Sequence, residues 1–165
     1  MDAADERQIF AAALEKSIKC REIVDFQPLR LSDDATLDEA TRIFLESGLW
    51  GIPVVNSNDQ YIGTCTLRSL VARALPLARA TALGEGLDWA RAAGAEEPQR
   101  RRVLRRPVAQ VLDLEVPAVR ISTALPHLLL VLCRQAPVVP IVSDAGRHLV
   151  GVASLQRAVR AMYAP

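Results

Sequence analysis

Apolar and polar positions near the start of the chain predict a strand followed by a helix. Residues 29–31 place an arginine between two leucines, which is the alternation of a short strand. The polar residues 32–34 offer side chains suited to an N-cap, and apolar residues then recur at helical spacing over residues 37–45. Gly48 predicts the end of this helix, since glycine commonly forms the C-terminal cap.

A β-hairpin is predicted directly after this helix. Residues 52–55 form an apolar run, and Pro53 is expected near the start of the strand or at a sheet edge. The polar residues 56–59 predict a turn, because Asn and Asp tolerate tight backbone and bond to it locally. Residues 61–65 predict the partner strand, and Thr66 marks the start of the next helix.

The second half of the chain shows the same order of elements. Residues 119–121 predict a strand, Ser122 or Thr123 an N-cap, and residues 125–134 a helix whose first turn tolerates a proline. Each half is therefore expected to contain a strand, a helix, two strands and a helix. The elements that complete the second half are hairpin strands at residues 138–142 and 149–153 and a last helix opened by Ser154.

A constant spacing relates the two halves. Three pairs of matching residues are 88 positions apart, and a fourth pair, Pro53 and Pro140, is 87 positions apart. Chance similarity between apolar segments would not keep one spacing over so many positions, so the chain contains an internal repeat. The three pairs are Asp25 and Asp113, Leu37 and Leu125, and Gly63 and Gly151.

The size of one repeat indicates how the two copies pack. A unit of about 50 residues is close to the lower limit for an independent hydrophobic core. Two copies packed face to face would cover each other's open sheets. The predicted fold class is therefore α+β, with two repeats packed as one module with pseudo-two-fold symmetry.

The composition indicates a folded protein whose function does not depend on a large net charge. Half of the 165 residues are hydrophobic and 24% are charged, so the chain is too apolar to be disordered. The net charge of +1 gives no general attraction to nucleic acid or to a membrane surface. We therefore expect no nucleic-acid partner. The most apolar region, residues 128–142, is shorter than the roughly 20 residues that a membrane span needs, so we also expect no insertion into a membrane.

The beginning of the chain and its cysteines indicate a compartment. The first ten residues include acidic side chains where a signal peptide has basic ones. Cys20, Cys65 and Cys133 are an odd number without metal-like spacing, which favours reduced thiols. We expect a cytoplasmic protein, and the richness in Arg and Ala is compatible with a bacterial source.

No residues in the sequence have the spacing of a catalytic or metal site. His127 and His148 have no Cys or carboxylate at ligand spacing. No serine lies in a nucleophile elbow, and no glycine-rich phosphate loop occurs. The expectation is a protein that is not an enzyme and holds no metal.

The two repeats resemble the tandem CBS-domain pair, often called a Bateman module, as found in stand-alone CBS domain-containing proteins. The matching motifs are Ile-Pro-Val-Val and Ile-Gly-Thr-Cys-Thr in the first repeat and Val-Gly-Val-Ala-Ser in the second. Ile-Val-Asp at residues 23–25 and Val-Leu-Asp at residues 111–113 match the segment that precedes each repeat, here called the lead-in. The resemblance predicts an N-terminal helix at 1–17, CBS repeats at 18–75 and 108–163, and a linker at 76–107.

This resemblance implies a regulatory or sensing role. Family members have two clefts between the repeats, often bind adenine-containing ligands and commonly associate in pairs. In the family, a Thr or Ser at the start of the last helix contacts phosphate or ribose, and an Asp three positions later holds the ribose hydroxyls. Apolar groups around the Pro-Val-Val strand enclose the base. The corresponding positions are Ile52, Pro53, Thr66, Ser69, Val139, Pro140, Ser154 and Arg157.

The chain departs from the family at both ribose positions. Ser69 and Arg157 stand where the family has Asp, and arginine accepts no hydrogen bond, although it can pair with a phosphate. One hypothesis is a sensor module that binds AMP, ADP, ATP or another adenosyl ligand in a cleft between the repeats. The alternative is a degenerate pair that acts as a dimerisation or protein-interaction scaffold. A homodimer and an unidentified regulated protein are expected as partners.

Two segments outside the repeats carry further patterns. Residues 100–106 include five arginines, but neighbouring acidic residues offset them, which favours a solvated linker over a nucleic-acid or anion site. Residues 3–16 predict a helix with one apolar face, suited to packing across the pair, to a dimer interface or to docking a partner.

Overall fold

The structure is a computed structural model that describes residues 20–74 and 97–163. The predicted N-terminal helix and most of the predicted linker lie outside the described residues. The first range contains α1 (Cys20–Ile23), β1 (Val24–Asp25), β2 (Leu31–Ser32), α2 (Leu37–Ser47), β3 (Gly51–Val55), β4 (Tyr61–Thr66) and α3 (Leu67–Ala74). The second contains α4 (Glu97–Leu104), a 3₁₀ helix (Val108–Val111), β5 (Val119–Arg120), α5 (Leu125–Arg134), β6 (Val138–Val142), β7 (Leu149–Ser154) and α6 (Leu155–Tyr163).

Each repeat forms its own small sheet, and the predicted order of strand, helix, strand, strand, helix is confirmed. In the first repeat β2 runs parallel to β3, and β3 runs antiparallel to β4. In the second repeat β5, β6 and β7 pair in the same way. The parallel step requires a crossover connection, which the helix between the two strands supplies. The α+β fold class is therefore confirmed.

Each sheet is extended by the lead-in of the other repeat. The lead-in strand β1 pairs antiparallel with β7, with Asp25 opposite Val152. Asp113 of the second lead-in forms the equivalent bridge with Thr64 of β4, and its N–H donates to the Thr64 carbonyl at 2.7 Å. This exchange places residues of each lead-in inside the other repeat's core: Ile23 and Val24 in one, Val111 and Leu112 in the other.

The pseudo-two-fold axis passes between the starts of β4 and β7. Gln60 and His148, which are 88 positions apart, form an antiparallel bridge with each other. The N–H of the next residue, Tyr61, donates to the carbonyl of Arg147 at 2.7 Å. A residue that pairs with its own equivalent lies beside the symmetry axis. The predicted symmetry of the two repeats is confirmed.

Gly63 and Gly151 are required by the close approach of the exchanged lead-ins. A Cβ at Gly63 would lie 2.9 Å from Leu112 Cδ1, and a Cβ at Gly151 would lie 2.6 Å from the backbone oxygen of Asp25. The repeated glycine of the sequence thus has a structural cause, because only a residue without a side chain leaves room for the crossing segment.

The predicted N-cap of the first long helix is wrong. The cap of α2 is Thr36, whose hydroxyl accepts the N–H of Glu39 at 3.2 Å, while the Glu39 carboxylate accepts the N–H of Thr36 at 3.1 Å. The polar residues 32–34 instead end β2 and begin the turn that precedes the helix. Gly48 caps the other end with φ of 65°, as predicted.

The predicted N-cap of α5 is also wrong. Ala124 occupies the cap position and makes no side-chain hydrogen bond there. The Ser122 hydroxyl donates to Asp144 at 2.6 Å, which ties it to the hairpin turn of its own repeat. A proline in the first turn of α5 lacks the N–H that a cap would satisfy, which reduces the need for a capping side chain.

The arginine-rich segment partly packs on the first repeat. Residues 97–104 form α4, and Val103 contacts the first core. The N–H of Leu37 then donates to the carbonyl of Arg106 at 2.9 Å. Arg101 and Arg102 remain exposed. Within the part of the chain that the structure describes, no helix is long and apolar enough to span a membrane.

Candidate functional site

Two cavities lie between the repeats at positions related by the pseudo-symmetry. The first, the Thr66 cleft, has a volume of about 240 Å³. The second, the Ser154 cleft, has a volume of about 80 Å³. Gly51 and Val138, which are 87 positions apart, line both cavities. The two clefts are therefore equivalent places in the fold with unequal space.

The polar end of the Thr66 cleft is built at the start of α3. The Thr66 hydroxyl accepts the N–H of Ser69 at 3.0 Å, and the Ser69 hydroxyl accepts the N–H of Thr66 at 3.0 Å. The Ser69 hydroxyl also donates to the Thr66 carbonyl at 3.0 Å. This reciprocal arrangement is a capping box in which a serine takes the place of Glu or Gln. It fixes the Thr66 side chain at the cleft.

A buried carboxylate from the second repeat completes this end of the cleft. The Asp113 side chain is 7% exposed and accepts hydrogen bonds from the Thr66 hydroxyl and from Arg68, each at 3.0 Å. Arg68 also pairs with Glu115 at 2.8 Å. Burial raises the pKa of Asp113, but the hydrogen bonds from Arg68, Thr66 and the Glu115 N–H outweigh burial, so the pKa lies below its ordinary value. Asp113 is therefore ionised in the folded protein at neutral pH.

The remaining walls of the Thr66 cleft are mainly apolar. Val116 lies in the connection that precedes β5, residues 136–137 lie between α5 and β6, and Val138 is the first residue of β6. Trp50 stands at the rim with 68% of its surface exposed. An exposed tryptophan offers a flat face for stacking, and the same cleft is lined by the apolar residues Val116 and Ala136. The cavity thus joins an apolar portion to a charged, hydrogen-bonding end.

The helix that starts at Ser154 is capped like the helix that starts at Thr66, but its third residue has a different partner. Ser154 accepts the N–H of Arg157 at 3.2 Å, as Thr66 accepts that of Ser69. Arg157 has no acceptor with which to return this bond. Its guanidinium instead pairs with Asp25 of the first lead-in at 3.0 Å. Both partners line the small cavity.

The structure places the eight residues chosen from the sequence in three settings. Thr66 lines the larger cleft, and Pro53, Ser154 and Arg157 line the smaller one. Ser69 is buried and bonded to the backbone of Thr66. The remaining three are almost completely buried strand residues beneath the clefts: Ile52, Val139 and Pro140.

Sequence reasoning missed most residues that line the Thr66 cleft, among them Asp113, Arg68 and Trp50, and it missed Asp25 in the Ser154 cleft. Asp113 and Asp25 were recognised only as markers of the repeat, although their spacing of 88 is the signal that predicts equivalent positions. Arg68 and Trp50 had no repeat partner of their own type to mark them. In the described ranges 20–74 and 97–163, no group of three or more His, Cys, Asp and Glu is placed to hold a metal.

Comparisons with known proteins agree with this architecture. The family model of the CBS domain matches residues 20–75. A crystal structure of a CBS domain protein from Streptococcus pneumoniae TIGR4 has a TM-score of 0.66 at 16% identity, covering 99% of this chain and 97% of that chain. A comparison with curated proteins found no match. Residues 20–75 therefore match the CBS-domain family, and the two repeats together have the fold of the CBS domain structure.

Two further solved structures share the fold and contain adenine ligands. CbpB in complex with c-di-AMP has a TM-score of 0.63 at 12% identity, covering 97% of this chain and 93% of that chain. CBSX2 in complex with AMP has a TM-score of 0.58 at 20% identity, covering 84% of this chain and 89% of that chain. At these identities the similarity establishes the fold.

Proposed function

We propose that this protein is a regulatory CBS module that binds an adenine-containing ligand in the Thr66 cleft. The observation that carries the proposal is an open cavity of about 240 Å³ between the repeats, with an apolar portion and a charged end. This volume approaches the range of about 300–1,000 Å³ that is typical of small-molecule sites. CBSX2 binds AMP and CbpB binds c-di-AMP on the same fold, which favours an adenine ligand here.

The two portions of the cleft suit the two ends of a nucleotide. The base would lie against Trp50 and the apolar residues 136–138. The phosphate would face Arg68, whose guanidinium offers several donors, and the start of α3 with its partial positive charge. AMP, ADP, ATP and other adenosyl compounds share these two features. The ribose hydroxyls would lack the carboxylate at position 69, where Ser69 is already bonded to Thr66.

Ligand binding would be coupled to the arrangement of the two repeats. A ligand phosphate would compete with Asp113 for Arg68 and for the Thr66 hydroxyl, which Asp113 now occupies. Asp113 belongs to the lead-in that crosses from the second repeat onto the sheet of the first. A ligand with different affinity for two positions of this lead-in would shift the population between them. This shift is the proposed regulatory signal.

The alternative is a degenerate pair that acts only as a scaffold, for which side chains should fill both clefts. The open Thr66 cleft supports the sensing proposal instead. We include in that proposal a homodimer, since α3 and α6 expose an apolar residue at equivalent positions, Val71 on one helix and Val159 on the other. The regulator would be a cytoplasmic bacterial protein without catalytic activity, acting on a partner protein.

A panel of adenine compounds tests the ligand. Thermal melting is measured with AMP, ADP, ATP, NAD, S-adenosylmethionine and c-di-AMP at millimolar concentration, and at least one should raise the melting temperature. For that compound, Thr66→Val should weaken binding about 10-fold, since a hydrogen bond to a charged group is lost. Thr66→Ser keeps the hydroxyl and should bind like the wild type. No shift with any compound would contradict the proposal.

Light scattering after size-exclusion chromatography tests the homodimer. The expected mass is twice that of the 18.0 kDa chain. Replacement of Val71 and Val159 by Asp should yield a folded monomer, because both side chains are about half exposed and a charge there would oppose an apolar interface. A wild-type monomer at micromolar concentration would contradict this part of the proposal.

A further inference from the structure

We infer that Arg157 is a built-in plug that closes the Ser154 cleft, so that each chain binds one adenine ligand although its fold contains two equivalent clefts. Replacing Arg157 with serine, the residue at the equivalent position 69, should open a second binding site. This inference rests on the proposed function for its binding readout, but the opening of the cleft is a separate structural prediction.

The first argument comes from the unequal volumes of equivalent cavities. The Thr66 cleft holds about 240 Å³ and the Ser154 cleft about 80 Å³. A water molecule takes about 30 Å³ of liquid volume, so the smaller cavity has room for only a few waters. Arg157 lines this smaller cavity, whereas the equivalent Ser69 does not line the larger one. A long side chain therefore lies at the cleft with little space, and a short one at the open cleft.

The second argument explains why Arg157 turns towards the cleft. Ser69 folds back onto Thr66 because its hydroxyl can both accept and donate at the helix start. A guanidinium accepts no hydrogen bond, so Arg157 cannot take the N–H of Ser154 in the same way. Its side chain is left to find an acceptor elsewhere, and the acceptor is Asp25 at 3.0 Å.

The third argument is that the acceptor is held in place. The Asp25 carboxylate also accepts the N–H of Gln27 at 3.0 Å, and the Asp25 backbone is paired with Val152 in β7. The lead-in strand thus presents a fixed negative charge at the mouth of the cleft. The ion pair spans from this strand to α6 and closes the space between the lead-in and the helix start.

Arg157→Ser is the test, with Arg160→Ser as the matched control. Both arginines are exposed residues of α6, but Arg160 is not among the residues lining the cleft. Isothermal titration with AMP should give one molecule per chain for the wild type and for Arg160→Ser. It should give two for Arg157→Ser. A crystal structure of Arg157→Ser should show the cleft grown from about 80 Å³ towards the volume of the Thr66 cleft.

The outcomes separate this inference from the proposed function. One AMP for the wild type and one for Arg157→Ser would overturn the plug but leave the proposed function standing. Two for the wild type would overturn the plug as well. No AMP for the wild type and one for Arg157→Ser would support the plug and contradict AMP binding at Thr66. If neither binds AMP, an enlarged cleft in the crystal structure supports the plug, and an unchanged cleft overturns it.

Discussion

The Thr66 and Ser154 clefts are built on equivalent backbone segments but are lined by different side chains. Each has a hydroxyl at the start of a helix and a carboxylate from the opposite lead-in. The Asp113 carboxylate is 7% exposed and accepts hydrogen bonds from Thr66 and Arg68. The Asp25 carboxylate is 38% exposed and forms an ion pair with Arg157. The second and third residues of the helix make the difference: Arg68 and Ser69 in one repeat, Gln156 and Arg157 in the other. The two repeats therefore share the backbone of the site but differ in the volume of the cavity.

The largest expected effect tests whether the exchange of lead-ins is equally tight in both repeats. Gly151→Ala should lower the free energy of unfolding by about 3 kcal/mol, because the new Cβ would meet the rigid backbone oxygen of Asp25. Gly63→Ala should cost about 1 kcal/mol, since the Leu112 side chain can move away. Urea denaturation measures both. Equal losses of stability for Gly151→Ala and Gly63→Ala would contradict the idea that the Asp25 backbone is more rigid than the Leu112 side chain.

The next effect compares the two lead-in carboxylates. Asp113→Asn should destabilise the protein by about 2 kcal/mol, because a buried charged acceptor loses strength towards its donors. Asp25→Asn should cost about 0.5 kcal/mol, as expected for an ion pair that is largely exposed. Both changes keep the shape of the side chain, and urea denaturation of each variant gives the difference. A larger cost at Asp25 would reverse the comparison.

The contribution of Asp113 should also depend on pH. Its folded pKa lies below the ordinary value of 3.8, so the unfolded chain takes up the proton first on acidification. The stability that Asp113 contributes is present above the unfolded pKa and is lost as the pH falls through the folded pKa. The difference between wild type and Asp113→Asn should be constant from about pH 5 to 8 and shrink below about pH 4. A difference that grows in acid would contradict this assignment.

The smallest effect compares the two helix starts. Ser69→Ala removes the hydrogen bonds of the Ser69 hydroxyl with the N–H and the carbonyl of Thr66, and it should lower the free energy of unfolding by about 1 kcal/mol. Arg157→Ala leaves the Ser154 cap intact and should change stability by less than about 0.5 kcal/mol. Thermal and urea unfolding report both variants. A marked loss for Arg157→Ala would mean that the ion pair with Asp25 stabilises the fold more than an exposed pair should.

Much of the fold could be predicted because local patterns encode local structure. The hairpins follow from apolar runs separated by Asn- and Asp-rich turns, and the end of α2 follows from Gly48. The caps were less predictable. The Thr36 cap does have a local signal, because Thr36 and Glu39 form the Thr-x-x-Glu pattern of a capping box, and the polar residues 32–34 competed with it as candidates. Ala124 has no such signal, because its side chain makes no capping hydrogen bond.

The amino-acid sequence by itself determined the repeat, the class of fold and the helix starts at Thr66 and Ser154. It also showed that Ser69 and Arg157 stand at the equivalent positions of the two repeats, where the resemblance led us to expect carboxylates. Only the tertiary structure decided that the lead-ins cross over, that Asp113 reaches Thr66, and that one cleft is three times as large as the other. The reason is physical: the space in a cleft depends on where long side chains from distant segments find their partners. Arg157 finds Asp25, 132 positions away, and no pattern along the chain marks that pair.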